Sequence, residues 1–225
     1  MNHPSLVRRL IAKDLMLQRW PLTLYFVVGL VSLYLLSINA SAPFNTGAVL
    51  LMSMVIVTGA HLVFSTLVNE RSEQTLVFVL SLPVTFRQYS HAKVCANLIG
   101  YLAVWLPLVG GMVLVIHSQA QIPNGLTVYA VILMLELLAA FVLVLSAALV
   151  TESLVWVIVL ITTTNIGVSI FMHWLSSVPG INAHMNAPQA IWNQTALVII
   201  GAELLIVLAC LAATYIVQAR KRDFL

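Results

Sequence analysis

Charged side chains are scarce in this sequence. Asp, Glu, Lys and Arg make up 8% of its 225 residues, whereas 61% are apolar. A water-soluble domain would carry about 25% charged and about 45–50% apolar residues. The shortage excludes a soluble enzyme, a nucleic-acid-binding domain and a disordered chain. It also excludes an outer-membrane barrel, whose strands alternate polar and apolar residues. Cysteine is limited to Cys95 and Cys210, too few for a metal cage. There is no G-x-x-x-x-G-K-[ST] phosphate loop, no H-E-x-x-H zinc pair and no G-x-S-x-G elbow. The histidines (His3, His61, His91, His117, His173 and His184) show no i, i+4 pairing with one another. The chain therefore reads as a non-enzyme with no metal or cofactor site of its own.

What is present is long apolar stretches, and a bilayer crossing needs roughly 20 such residues. No Asp, Glu, Lys or Arg occurs between Arg19 and Glu70. That gap is too long for one span, and it breaks at the turn formers Asn39 to Gly47. A second gap breaks at Gln119 to Gly125, and a third between Pro179 and Thr195. The reading is an all-α integral membrane protein, one transmembrane domain over 1–225 with six spans. They fall at 21–38, 47–68, 95–117, 126–149, 153–175 and 196–217.

Lys and Arg near span ends mark the cytoplasmic side. Arg8, Arg9, Lys13 and Arg19 precede span one. Arg71, Arg87 and Lys93 lie between spans two and three, and Arg220, Lys221 and Arg222 follow span six. With six spans, all ten fall on one side. The opposite loops, 39–46, 118–125 and 176–195, contain none. Both termini are then cytoplasmic, with a tail at 218–225. The net charge of +3 is a topological signal that also suits anionic headgroups, so no nucleic-acid partner is required. Both thiols lie near the reducing side, which argues against a disulfide.

The longest polar interruption is 69–94, between spans two and three. It has a charged start at Glu70, Arg71 and Glu73, an apolar stretch from Leu76 to Leu82, then Pro83 and a basic end. Proline fits poorly inside a helix. Ser81-Leu82-Pro83 thus reads as a turn between an amphipathic surface helix near 70–80 and a helix that Thr85 could cap. On physics alone the segment could equally be an ordinary interfacial connector.

Here the sequence resembles a known family. Glu70-Arg71-x-x-x-Thr75-Leu76, then Leu80-Ser81-x-Pro83-Val84, Arg87 and Ala92-Lys93 is similar to the first cytoplasmic loop of ABC-2 type transporter permeases. Ser72, Gln74 and Phe86 depart from that pattern; Gln74 stands where a glycine is usual. The resemblance implies a coupling helix in this loop, seated on a separate ATPase subunit. Glu70, Arg71 and Glu73 would contact the ATPase, with Thr75 and Leu76 in the same helix. Pro83 would set the angle between loop helices, and Arg87 and Lys93 would anchor the loop to lipid or partner. It further implies two ATPase copies that hold ATP and Mg, a second permease copy forming a homodimer, alternating access, and an inner-membrane location.

Residues 5–20 place Arg8, Arg9, Lys13 and Arg19 on one helical side and Leu6, Val7, Leu10, Ile11, Leu15 and Leu17 on the other. Asp14 and Gln18 interrupt the apolar side. The segment 1–20 is expected as an interfacial elbow helix. Glu136 and Glu203 fall inside spans four and six, where an ionised carboxylate costs at least about 2.5–3.5 kcal/mol. They either line a transport path or pack against polar residues such as Thr162, Thr163, Thr164 or Asn165. His61 reads as a buried hydrogen-bonding group. The stretch 179–195 is either a re-entrant helix before span six or a plain outer loop. Gly100, Gly110, Gly111, Gly167 and Gly201 are expected to allow close helix packing. Two other readings remain at this point: a proton- or ion-coupled secondary transporter using Glu136 and Glu203, and a non-transporting scaffold.

Overall fold

A computed structural model describes residues 3–72, 86–151 and 153–220. These residues form seven helices and no strand. They are α1 (His3–Ser37), α2 (Ser41–Val63), α3 (Phe86–Ser118), α4 (Leu126–Thr151), α5 (Leu154–Ser177), α6 (Pro179–Met185) and α7 (Gln194–Arg220). Helix α2 continues through a π-helical turn, Phe64–Val68, into a last turn, Asn69–Ser72. Every helix except α6 is long and apolar enough to cross a membrane. The chain is a multi-pass membrane protein by helix length and hydropathy.

All six expected spans are present, and each helix is longer than its expected span, although α1 ends one residue before 38 and α5 begins one residue after 153. Helix α2 begins at Ser41, inside the turn-forming cluster, because Pro43 falls in the first turn. There a missing N–H costs nothing, since the first N–H groups have no intrahelical acceptor.

The elbow expectation is corrected. Residues 3–20 and span one are a single helix of 35 residues that runs through Pro21. Pro21 takes away one backbone donor, which leaves the Leu17 carbonyl without its usual partner. The helix is about 50 Å long at 1.5 Å per residue, well beyond a hydrocarbon core of about 30 Å. Its extension is held by protein. Asp14 and Gln18 are buried and hydrogen-bond to α3 and α2, so the two apparent flaws in the amphipathic pattern are the docking points.

Helix α4 is the centre of the bundle. Of its most apolar stretch 61% is buried, against 11% for α5 and for α7. It packs on α2, α3, α5 and α7, while α1 packs on α2 and α3. The core joins Leu51, Val55 and Leu62 of α2 to Leu108 of α3 and to Val142 and Leu145 of α4. Tyr101 stacks on Phe141 with ring centroids 4.0 Å apart. The Trp105 indole donates to the Met134 carbonyl at 2.9 Å. Outward faces carry Val155, Trp156 and Ile170 of α5 and Leu205 and Leu208 of α7. Apolar surface of that extent suits lipid contact.

Of the glycines expected to permit close approach, Gly111 does so, since a Cβ built on it would run into Leu33 Cδ1 of α1. Gly110, Gly167 and Gly201 have nothing within 4 Å of a Cβ built on them. At Gly47 such a Cβ would lie 2.7 Å from the Ser32 carbonyl, so α1 and α2 meet there backbone to backbone.

The stretch 179–195 forms the short helix α6 followed by irregular chain. Ile181 is buried against Val128, Ile132 and Leu175, which lays α6 across the ends of α4 and α5. The Gly125 N–H donates to the Ala187 carbonyl at 2.9 Å, and the Asn124 amide donates to the Pro188 carbonyl at 3.1 Å.

Candidate functional site

Two polar constellations stand out in an otherwise apolar bundle. The first lies at the end that carries the basic residues. Asp14 is about 35 Å from the far end of α1 at 1.5 Å per residue, which puts it just outside a hydrocarbon core of about 30 Å. Lys93 of α3 reaches Asp14 Oδ2 and Glu70 Oε2, each at 2.7 Å. Lys13 reaches Glu70 Oε1 at 3.1 Å and Asp14 Oδ1 at 3.6 Å. The Tyr89 hydroxyl donates to Glu70 Oε2 at 3.2 Å.

Two ammoniums and two carboxylates sum to zero charge. The Lys93 side chain is only 4% exposed, and those of Asp14 and Glu70 are 5% and 13% exposed. Buried ions need this kind of mutual compensation, because their desolvation costs several kcal/mol each. Burial alone would raise the Glu70 carboxyl; the Lys93 and Lys13 ammoniums outweigh it and hold the group below the usual carboxylate range.

A neutral layer continues the network inward. Asn97, fully buried, donates to Thr66 Oγ1 and to the Lys93 carbonyl, both at 2.9 Å. His61 Nε2 lies 2.9 Å from Gln18 Oε1 and packs edge-on to Tyr25; it is the hydrogen-bonding group expected, though half-buried where full burial was expected. The π-helical turn bears Thr66. One extra residue in a turn rotates the downstream side chains by about 100°, and Glu70 is the second residue after it. The network thus clamps the start of α1, the end of α2 and the start of α3 into one frame.

Of the expected coupling residues, Glu70 and Lys93 are brought together in the clamp, and Lys93 faces protein where lipid or partner contact was expected. Arg87 stands in the first turn of α3 and donates to the Ala219 carbonyl at 3.1 Å, in the last turn of α7. A cation suits the exposed carbonyls at a helix C-terminus. His91 meets the Tyr215 hydroxyl at 2.9 Å and tightens the same junction. Arg71 lies in the last turn of the α2 continuation. Glu73, Thr75, Leu76 and Pro83 lie outside the described residues.

The second constellation is a pair of acids within the membrane. Glu203 of α7 is 3% exposed, and neither of its carboxyl oxygens has a hydrogen-bond partner among the described residues. Glu136 of α4 is within electrostatic range. Of the four polar partners considered on span five, Thr162, Thr164 and Asn165 each donate to a carbonyl of their own helix. In ionised form, a carboxylate so buried and unpaired is costly. A proton, a cation or a cationic group would offset that cost.

Sequence reading missed Lys13, Asp14, Tyr89 and Asn97 as members of the clamp. The available signal was Asp14 itself, an acid on the apolar side of an otherwise basic segment. Set against protein-family models, curated proteins and solved structures, the chain matches none of them. What stands is an all-helical membrane protein with six helices fit to cross a bilayer.

Proposed function

We propose that the chain is the membrane-spanning permease subunit of an ABC-2 type exporter, driven by a separate ATPase chain that holds ATP and Mg. In this reading the protein lies in an inner membrane with both termini cytoplasmic. Two copies form the translocation path by alternating access, and the loop around 70–93 is the contact with the ATPase. The observation that carries it is the clamp of Lys13, Asp14, Glu70 and Lys93 at the root of the loop that resembles the family's coupling segment. A coupling loop must pass force to the spans. A largely buried four-charge junction linking α1, α2 and α3, with Lys13 at its half-exposed edge, gives it a stiff attachment, and the Arg87 bond to α7 extends the reach to the last span. Glu136 and Glu203 are then the candidates to line the path.

One observation favours a second reading, a proton- or ion-coupled carrier: the buried Glu203, which has no hydrogen-bond partner among the described residues and lies within electrostatic range of Glu136. Affinity purification from native membranes in mild detergent, with mass spectrometry, separates the two. The permease reading expects a stoichiometric chain with a phosphate loop. The carrier reading expects none, together with substrate movement by the chain alone on a proton gradient.

A further inference from the structure

The end of the bundle away from the charged clamp contains a cavity in two parts. The inner chamber, of about 180 Å³, lies between α1, α2, α3, α4 and α5 and is walled by apolar side chains and Tyr129, with Met52, Met112, Met134 and Met172 among them. An apolar cavity of about 150 Å³ stays dry and accepts a hydrocarbon. Methionine walls adapt to an irregular apolar occupant. Above it is a vestibule of about 360 Å³ at the loops. The two share Leu36, Phe44, Ile122 and Leu126 as wall residues.

The vestibule differs chemically from the chamber. Asn39, Asn45, Gln119, Gln121 and Asn186 line it. Loops 39–46, 118–125 and 176–195 contain no Asp, Glu, Lys or Arg. A phosphate head would be recognised by Arg or Lys, and none is at hand. Carboxamides both donate and accept hydrogen bonds, which matches hydroxyl groups, themselves donors and acceptors.

We propose that this cavity binds an amphiphile whose apolar tail enters the methionine-walled chamber and whose uncharged, hydroxyl-bearing head lies among the carboxamides. The site is independent of the ATPase reading, since it uses neither the clamp nor the carboxyl pair.

The full chain in phosphatidylcholine nanodiscs tests this. Two photoreactive lipids with identical diazirine-bearing acyl chains are compared at equal, low fraction, a monoglucosyl diacylglycerol and phosphatidylglycerol. Adducts are mapped by mass spectrometry. The glucosyl lipid is expected to label the peptides of Met52, Met112 and Met134 by about tenfold more than phosphatidylglycerol. Ala130→Phe should abolish that labelling while leaving adducts at the lipid-facing Leu205 and Leu208 intact. The double variant Asn45→Leu/Gln121→Leu, at exposed positions in the second turn of α2 and in the loop before α4, should erase the preference without closing the chamber, and it serves if Ala130→Phe fails to fold. Equal labelling by the two lipids would show ordinary bilayer lipid in the chamber and overturn the proposal. Chain-to-chain adducts at the vestibule in place of lipid adducts would show a second copy covering it, with the same consequence.

Discussion

Lys93 Nζ lies 2.7 Å from Asp14 Oδ2, joining α3 to α1 across 79 residues of sequence. The same ammonium lies 2.7 Å from Glu70. One side chain therefore ties three helices, and the consequences of removing it are specific.

Lys93→Met removes the ammonium that lies 2.7 Å from both Asp14 and Glu70. Breaking a buried pair by removing one partner costs about 3–5 kcal/mol. Thermal unfolding in detergent should show the variant strongly destabilised, with Asp14→Asn/Lys93→Met less damaged than the sum of the single changes. Additive losses would mean that the two groups do not interact.

The clamp also sets a pH response. Unfolded, the Glu70 carboxyl titrates near 4.5, and in the fold it is held lower. Folding is then favoured where the carboxylate is charged. Its contribution is complete above pH about 4.5 and disappears as pH falls through the lower folded value. Stability measured from pH 7 to pH 3 should fall more steeply for the native chain than for Glu70→Gln. Parallel curves would contradict the assignment.

How much of this was legible in the sequence depends on the kind of signal. The six spans and the one-sided placement of Lys and Arg are statistical properties of long segments, so apolar length and charge reveal them. The carboxyls of Glu136 and Glu203 stand out because any acid inside a span does. The clamp was not legible, because it joins residues 14, 70 and 93, and nothing local to one segment names its partners. A lysine near a span end is usually topological, which points Lys93 at lipid or partner; burial between two carboxylates is a tertiary fact. The elbow expectation fails for a related reason. Asp14 and Gln18 look like defects in an amphipathic face, whereas they are its contacts.

Gly47 gives a packing test. Its missing side chain lets α1 and α2 touch. Gly47→Val should force the helices apart and cost about 1–3 kcal/mol, the range for overpacking. Gly201→Ala, at a position with nothing within 4 Å, should be neutral. Unfolding midpoints of the two variants check both.

Glu136→Gln and Glu203→Gln keep shape and remove ionisation. Both should fold as well as the native chain, since Glu203 has no hydrogen bond to lose among the described residues. If either acid lines the path, transport by at least one variant falls while assembly persists. Full transport by both would remove these residues from the mechanism.

The permease proposal turns on the loop after Glu70 engaging a separate ATPase. Glu70 is a poor residue with which to test it, because its replacement also breaks the clamp. The direct measurement is ATPase co-purification and activity with Arg71→Ala/Glu73→Ala, in a chain whose unfolding midpoint is unchanged. A phosphate-loop ATPase is expected to accompany the native chain and to be lost from the variant. Retention of the ATPase by the variant, or its absence from the native chain under mild detergent, would refute the proposal.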